Sequence, residues 1–289
     1  MSIGDGAASP NQARHDHVEA GRTVGFFTDP TVCIGCKACE VACKEWNMVP
    51  DDGHAWSGHS YDHSGDLGAS TWRHVKFLEQ DVPAGTQVAG PMTVGSGSED
   101  PFRWLFVSDV CKHCEVAGCL EACPTGSIVR TENGAVYVQD DVCNGCGVCV
   151  VGCPFGVIDR RPEPLPGAGG AFKCTFCYDR QAVGLTPACA KACPTESIQF
   201  GPLDELRDRA AIRVRELRDQ GYGDARVYDA ADTSVRGAHA FFLLLGDPAD
   251  YGLPDEPEVP TVHLAAAWGS ALTTAALALL VALAAFALW

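Results

Sequence analysis

The chain has 289 residues, 37 of them acidic and 21 basic, with a net charge of −16. It contains no basic run, which excludes the positively charged patch or stripe by which proteins bind nucleic acid. A chain of this length can bury a hydrophobic core, so its sixteen cysteines need not form the disulfide scaffold of a short secreted domain.

The N-terminal residues 1–22 contain Gly, Ser, Asp and His but no apolar segment and no twin-arginine pair. They predict a flexible arm rather than a signal peptide. Farther along, short apolar runs end at Asp29, Asp109 and Asp140. Each run precedes a group of cysteines, which predicts a repeated order of strand, turn, cysteine loop, helix, turn and strand.

The cysteines form four quartets, and none is left over. They are Cys33, Cys36, Cys39 and Cys43; Cys111, Cys114, Cys119 and Cys123; Cys143, Cys146, Cys149 and Cys153; and Cys174, Cys177, Cys189 and Cys193. The first and third have the spacing Cys-x2-Cys-x2-Cys-x3-Cys, and proline follows the last cysteine of quartets two, three and four. This is the ferredoxin-type pattern, so the sequence predicts four 4Fe-4S clusters.

In such sequences three closely spaced thiolates hold one cluster and the fourth reaches a different one. Quartets two and three are close in sequence and predict one exchanging pair, which leaves quartets one and four to form the other. The expected ligand sets are Cys33, Cys36, Cys39 and Cys193; Cys174, Cys177, Cys189 and Cys43; Cys111, Cys114, Cys119 and Cys153; and Cys143, Cys146, Cys149 and Cys123.

Two other interpretations of the cysteines are weaker. A disulfide framework would force adjacent, strained bridges among the four cysteines between Cys33 and Cys43. Structural zinc also uses Cys-x2-Cys pairs, but zinc knuckles usually join two such pairs across a longer loop. They do not need a third cysteine three residues on and a fourth before proline.

A 67-residue insertion separates the first two quartets. Residues 71–82 and 103–107 are predicted strands, and the Gly-, Pro- and Ser-rich sequence between them is typical of turns. The histidines of the insertion are expected to be surface or core residues rather than cofactor ligands; they are His54, His59, His63 and His74.

Beyond the third quartet, residues 160–170 predict a Pro/Gly-rich loop, 204–219 an amphipathic helix and 241–245 a buried strand. The predicted fold class is α+β, with duplicated bacterial-ferredoxin-like 4Fe-4S domains, inserted loops and one C-terminal transmembrane helix. The predicted segments are the arm 1–22, the first quartet with inserted strands 23–110, a central two-quartet domain 111–160, the fourth quartet 161–200, an extension 201–261 and the membrane helix 262–289.

The last 26 residues, 264–289, carry no charge and are rich in Leu, Ala and Val. About 20 apolar residues span the hydrocarbon core of a bilayer, and Trp268 and Trp289 lie where interfacial aromatics are expected. A buried core helix would normally be shorter and amphipathic. We therefore expect a single-pass protein of the cell membrane. Its acidic flank contributes little to topology, and we expect the cysteine-rich body on the extracytoplasmic face.

Several phrases resemble those of a known family. Residues 31–48 read TVCIGCKACEVACKEWNM, 173–180 read KCTFCYDR, 221–229 read GYGDARVYD, and Tyr61-Asp62 and Trp72-Arg73-His74 lie between the first two quartets. Together with the quartets and the C-terminal helix, they resemble the iron–sulfur (beta) subunit of respiratory, membrane-bound formate dehydrogenase.

The resemblance implies a subunit with no catalytic site of its own. A molybdopterin-containing catalytic (alpha) subunit would oxidise formate at molybdenum or tungsten. This chain would relay the electrons through four 4Fe-4S clusters to a membrane cytochrome b-type (gamma) subunit and quinone. An equivalent subunit of a membrane-bound hydrogenase or of another molybdopterin oxidoreductase is the alternative. No nucleotide-binding glycine fingerprint or nucleophile elbow supports an enzyme in its own right.

Residues beside the cysteines are candidates for tuning the clusters, because hydrogen bonds to sulfur and local charge set their potentials. The backbone amides of Gly35, Gly145 and Gly147 are predicted donors to the cluster sulfurs. Four side chains near the ligands could supply positive charge or could equally be solvated: Lys37, Lys44, Lys112 and His113. Trp46 is predicted to have a packing role rather than to relay electrons.

Overall fold

A computed structural model describes residues 22–51, 53, 58, 62–81, 93–94, 102–163 and 165–287, with the backbone alone at 80–81, 93–94 and 102–103. The predicted N-terminal arm, Arg22 excepted, lies outside these residues. So do His54, His59, Tyr61 and Trp289 from the sequence analysis.

A four-stranded sheet forms one side of the body. Its order is β10 (Arg226–Tyr228), β11 (Ala240–Leu244), β1 (Val24–Thr28) and β9 (Ile198–Pro202). The central strands β1 and β11 run parallel, and the two outer pairings are antiparallel. Both central strands are buried throughout, as expected of apolar strands covered on both faces. The predicted strand at 241–245 is thereby confirmed.

Helix α6 (Leu203–Asp219) covers one face of this sheet. Its buried residues recur at helical spacing and form a core with Phe27, Phe241 and Leu243 of the sheet; they are Leu203, Leu206, Ala210, Val214 and Leu217. The amphipathic helix predicted at 204–219 is confirmed, because its apolar stripe has a sheet to pack against.

The insertion contains a long hairpin of β2 (Arg73–Asp81) and β4 (Phe102–Val110), with the short β3 (Thr93–Val94) on the other edge of β4. The antiparallel register pairs Arg73 with Val110 at one end. Both predicted strands of the insertion are therefore present. The pairing carries Arg73 to the start of the second quartet.

Five short helices follow the cysteine loops: α1 (Ala38–Asn47), α2 (Gly118–Glu121), α3 (Val148–Gly152), α4 (Tyr178–Gln181) and α5 (Ala188–Lys191). Helix α1 packs on α5, and α2 packs on α3. Two small hairpins, β5–β6 (Ile128–Arg130, Val136–Val138) and β7–β8 (Asp159–Arg160, Ala171–Phe172), complete the body. The predicted α+β, duplicated ferredoxin-like plan is confirmed.

A single long helix, α7 (Leu264–Ala287), follows the body. Its 24 residues make a rod of about 36 Å at 1.5 Å per residue. Its large apolar side chains are exposed, with Phe286 83% accessible. The segment Pro260–Ala287 is long and apolar enough to cross a membrane, by length and composition. The predicted segment boundaries within the body remain predictions. Strand β1 of segment 23–110 pairs with β9, which crosses the boundary between segments 161–200 and 201–261.

Candidate metal centres

All four Cys-x-x-Cys loops have a left-handed residue at the same position, and in quartet four Cys177 is left-handed as well. The residue before the second cysteine has a positive φ in each: 65° at Gly35, 44° at His113, 71° at Gly145 and 63° at Phe176. This left-handed turn directs amides toward the thiol groups, so that the Phe176 N–H donates to the Cys174 Sγ at 3.3 Å. The Gly35 N–H likewise donates to the Cys33 thiol and favours its thiolate.

Quartets two and three share a cavity of about 320 Å³, part of it open to solvent. Its wall contains Cys111, Cys114 and Cys119 of quartet two and Cys153 of quartet three. Burial, and then the charges of Cys111, Cys153 and Cys119, raise the pKa of Cys114 well above its ordinary value. Four thiols thus face one another, which is the third predicted ligand set.

A second cavity, of about 280 Å³, is lined by Cys143, Cys146 and Cys149 together with Cys123. Burial and the charges of the other three raise the pKa of Cys149 to about 11. At Cys123 burial acts in the same direction, but the hydroxyls of Ser127 and Thr125 and nearby amides outweigh it and lower the pKa to about 6. This cavity gathers the members of the fourth predicted set.

The exchange of last cysteines between these two cavities requires α2 and α3 to cross closely. A Cβ added to Gly118 would clash with the carbonyl oxygen of Gly152. A Cβ on Gly152 would lie 3.0 Å from the Cβ of Ala122. Glycine at these two positions lets the helices approach until each carries its last cysteine to the neighbouring cavity.

Quartets one and four meet in the same manner. Burial, and then the charges of Cys174, Cys189 and Cys177, raise the pKa of Cys43 well above its ordinary value. At the other end of this pair of quartets, burial raises the pKa of Cys33, and the charges of Cys193 and Cys36 act in the same direction. Cys39 lies beside Ser108, whose Oγ is 3.3 Å from its Sγ.

The four sets influence one another electrostatically in succession. The charge of Cys189 raises the pKa of Cys39, although burial is the larger cause. After burial, the charge of Cys111 is the largest cause of the raised pKa of Cys174. Burial is the main cause of the raised pKa of Cys119, and the charge of Cys149 raises it further. Each set is therefore within electrostatic reach of the next along a single series.

The cavities suit a polynuclear group better than one metal ion. A zinc ion draws four thiolates to about 2.3 Å from a single point. Among the described residues, no group of three or more His, Cys, Asp or Glu side chains is placed to hold one ion. The thiols instead line two partly open hollows, four thiols to each. Four thiols around such a space fit a 4Fe-4S cluster, which binds to cysteine thiolates.

Buried cations lie among the thiols. Arg73 is 1% exposed and its Nη2 is 3.2 Å from the Cys189 Sγ. Lys173 is buried, and the charges of Cys111, Cys119 and Cys174 raise its pKa although burial alone lowers it. Such cations offset the negative charge of thiolates. Sequence reasoning missed both; the only signals were that Lys173 precedes a cysteine and that Arg73 lies in the Trp-Arg-His phrase.

The four side chains predicted to tune the cluster potentials lie in different surroundings. Lys112 and His113 are buried in the wall of the larger cavity. Lys37 instead forms ion pairs with Glu40 at 3.2 Å and with Asp62 at 3.3 Å. Lys44 donates to the carbonyl oxygen of Pro50 at 3.5 Å. Of these four side chains, Lys112 and His113 are therefore the two placed to act directly on a group bound in the larger cavity.

Two aromatic predictions from the first quartet and the insertion can be placed. The Trp46 ring is 43% exposed and packs under the Arg180 guanidinium at 4.1 Å. Its Nε1 donates to Asp179 at 2.7 Å. The His74 side chain is fully buried, 3.3 Å from Asp62, so it is a core residue. His63 is exposed.

Two family models, each described as a 4Fe-4S dicluster domain, match residues 32–127 and 102–203. Together with the fold and the thiols gathered from different quartets, they define the class of this protein. It is a ferredoxin-like 4Fe-4S protein of the electron-transfer type.

Known relatives narrow the class. The chain is 38% identical over 263 residues to the formate dehydrogenase iron–sulfur subunit of Haemophilus influenzae, covering 90% of this chain and 76% of that protein. It is 38% identical over 262 residues to the formate dehydrogenase-O iron–sulfur subunit of Escherichia coli, with 89% and 78% covered. The B subunit of E. coli anaerobic dimethyl sulfoxide reductase is 34% identical over 192 residues, covering 64% of this chain and 76% of that protein.

The chain belongs to the family of formate dehydrogenase iron–sulfur subunits. It is a non-catalytic electron-transfer subunit of an oxidoreductase complex. The resemblance noted from its sequence is confirmed.

Proposed function

We propose that this chain binds four 4Fe-4S clusters and relays electrons from a formate-oxidising catalytic subunit to a quinone-reducing membrane subunit. The observation that carries the proposal is the succession of cysteine sets. Cys39 and Cys189 are linked through Ser108 and Arg73, Cys174 is within electrostatic reach of Cys111, and Cys119 is within electrostatic reach of Cys149. A series of neighbouring redox sites suits conduction between two ends of a protein.

The proposed ligand sets are those expected from the sequence, with the last cysteines exchanged within each pair of quartets. When bound, the clusters supply reversible electron transfer at potentials set by charge, hydrogen bonds to sulfur and burial. Nine of the sixteen cysteines are buried, and the Arg73 and Lys173 side chains offset the charge of the thiolates near them. Loop amides such as that of Gly35 are proposed to donate to sulfur.

The proposed partners are those implied by the family resemblance, and they are supported by relatives that are themselves subunits of formate dehydrogenase. A molybdopterin-containing alpha subunit would donate electrons near quartets one and four. A cytochrome b-type gamma subunit would accept them near quartets two and three. The related dimethyl sulfoxide and thiosulfate reductase subunits support another molybdopterin oxidoreductase as the alternative. A membrane-bound hydrogenase is the other alternative, proposed from the sequence.

The proposed location is the cell membrane, with helix α7 as a single span and the cysteine-rich body on the extracytoplasmic face. The support for the span is its exposed apolar surface. Its first part is rich in small residues, 265–267 and 269–271, which permit close packing on a partner helix.

Anaerobic purification of the complex from native membranes tests this proposal. We expect about sixteen irons per copy of this chain beyond those of its partners, because each cubane holds about four. Formate should bleach the broad visible absorbance of the clusters. Clusters that respond to hydrogen or another donor but not to formate would assign the chain to a sister complex. Few irons, with zinc in their place, would refute the relay itself.

A further inference from the structure

The Cys-x-x-Cys turn of quartet two has a polar side chain at its left-handed position. Glycine adopts this backbone conformation without strain and occupies the position in quartets one and three, as Gly35 and Gly145, whereas Phe176 occupies it in quartet four. In quartet two the residue is His113, with a φ of 44°. A residue with a Cβ is strained in this conformation. Strained positions of this kind cluster at functional sites, which directs attention to the side chain.

The His113 ring is held in one orientation. Its side chain is fully buried, and its ring centroid lies 4.3 Å from that of Phe176. The backbone N–H of Val136 donates to its Nδ1 at 3.0 Å. Because Nδ1 accepts this hydrogen bond, the ring hydrogen of the neutral imidazole is on Nε2. Nε2 is therefore a hydrogen-bond donor.

That donor has no protein partner among the described residues, although it is buried. Leaving a buried donor unpaired is unfavourable. His113 lines the larger cavity together with Lys112 and Lys173. Both lysines donate to protein oxygens, Lys112 to Val110 O at 2.9 Å and Lys173 to Cys174 O at 3.2 Å, and Lys173 also has a hydrogen bond to the thiol of Cys111.

We propose that the His113 Nε2–H donates a hydrogen bond to a sulfur of the 4Fe-4S cluster held by Cys111, Cys114, Cys119 and Cys153. His113 is then a positioning residue that raises the reduction potential of this one cluster. The physical reason is that reduction adds negative charge to the cluster, and a fixed donor stabilises the reduced form more than the oxidised form. The inference rests on the proposed binding of clusters by this chain.

The native complex provides a direct test. In partly reduced complex whose histidines carry ¹⁵N in the imidazole ring only, pulsed electron paramagnetic resonance should show a hyperfine coupling from one histidine ring nitrogen to one cluster. This measurement needs no substitution. A complex with its full iron content but without any histidine coupling overturns the inference while the relay survives. A complex that lacks clusters overturns both.

Two variants separate the hydrogen bond from packing. His113→Gly relieves the backbone strain and removes the ring, whereas His113→Phe keeps a ring against Phe176 without the donor. In both variants, the ratio of reduced to oxidised form of one cluster should be approximately tenfold lower at a fixed applied potential. This corresponds to a reduction potential lower by about 59 mV for a one-electron couple. The control His74→Phe removes a buried histidine of the insertion that lies beside Asp62 and does not line this cavity, and it should leave that potential unchanged.

Unchanged potentials in both His113 variants, with clusters intact, would count against the proposal. If both variants lose this cluster, the histidine coupling of the wild-type complex decides: its presence supports the proposal and its absence overturns it.

Discussion

The guanidinium of Arg73 contacts the thiol of Cys189 across 116 residues of sequence, with 3.2 Å between Nη2 and Sγ. Its Nη1 donates to the carbonyl oxygen of Ser108 at 3.2 Å, and the Ser108 hydroxyl is 3.3 Å from the Cys39 Sγ. Burial lowers the pKa of Arg73, but the charges of Cys189 and Cys39 and of two further thiols outweigh it. One buried cation thus connects quartets four and one.

Replacing Arg73 should therefore affect two clusters. Arg73→Gln removes the charge, so the clusters of both sets should become harder to reduce. Breaking a buried charge pair also typically costs about 3–5 kcal/mol of stability. Redox titration followed by electron paramagnetic resonance checks the potentials, and thermal unfolding of the complex checks stability. Arg73→Lys keeps the charge with fewer donors and should show smaller shifts; equal shifts in both variants would contradict the electrostatic explanation.

Asp109 should contribute stability through its two lysine partners. It forms ion pairs with buried Lys112 and, at 3.1 Å, with Lys76. Burial raises its pKa, but the lysine charges outweigh this and lower it to about 2. Asp109→Asn should destabilise the protein by about 3–5 kcal/mol at neutral pH, because it leaves Lys112 buried without its partner.

The pH dependence of this effect has a definite sign. The folded-state pKa of Asp109 is below its unfolded value of about 3.9, so its contribution is present above that pH and is lost as the pH falls toward about 2. The difference in unfolding free energy between wild type and Asp109→Asn should shrink over this interval. A difference that stays constant down to pH 2 would mean that the carboxylate is not responsible.

The close helix crossing at Gly118 should be intolerant of a side chain. Gly118→Ala places a Cβ against the carbonyl of Gly152, and overpacking of this kind costs about 1–3 kcal/mol. Separation of α2 and α3 should disturb both cavities that exchange cysteines there. We expect the loss of up to about eight irons, two cubanes of about four each, by iron analysis. Gly223→Ala, where a Cβ meets no atom within 4 Å, should retain the full content.

A charge in the middle of α7 should weaken membrane attachment. Leu277 is 63% exposed near the centre of this helix. Arginine at the centre of a membrane span costs about 2.5–3.5 kcal/mol on insertion scales, so Leu277→Arg should reduce the fraction of the chain that resists alkaline carbonate extraction. The matched variant Leu277→Ala should remain in the membrane. Equal extraction of both variants would argue against a membrane span.

Local sequence alone determined the cysteine loops, the helix at 204–219, the strand at 241–245 and the apolar C-terminal helix. Each depends on residues a few positions apart: the spacing of thiolates around one cluster, the period of an apolar stripe, or the length of an uncharged segment. These are short-range relations, and they persist wherever the segment lies in the fold.

The tertiary structure alone decided which side chains surround the cysteines. Sequence spacing did not reveal that Arg73 contacts Cys189 or that Lys173 lies among three thiols, because each contact depends on how distant segments pack. It also left open whether Lys112 and His113 were solvated, whereas the structure buries both. The reason is physical: burial of a charge or of an unpaired donor is a property of the assembled interior, which no single segment forms by itself.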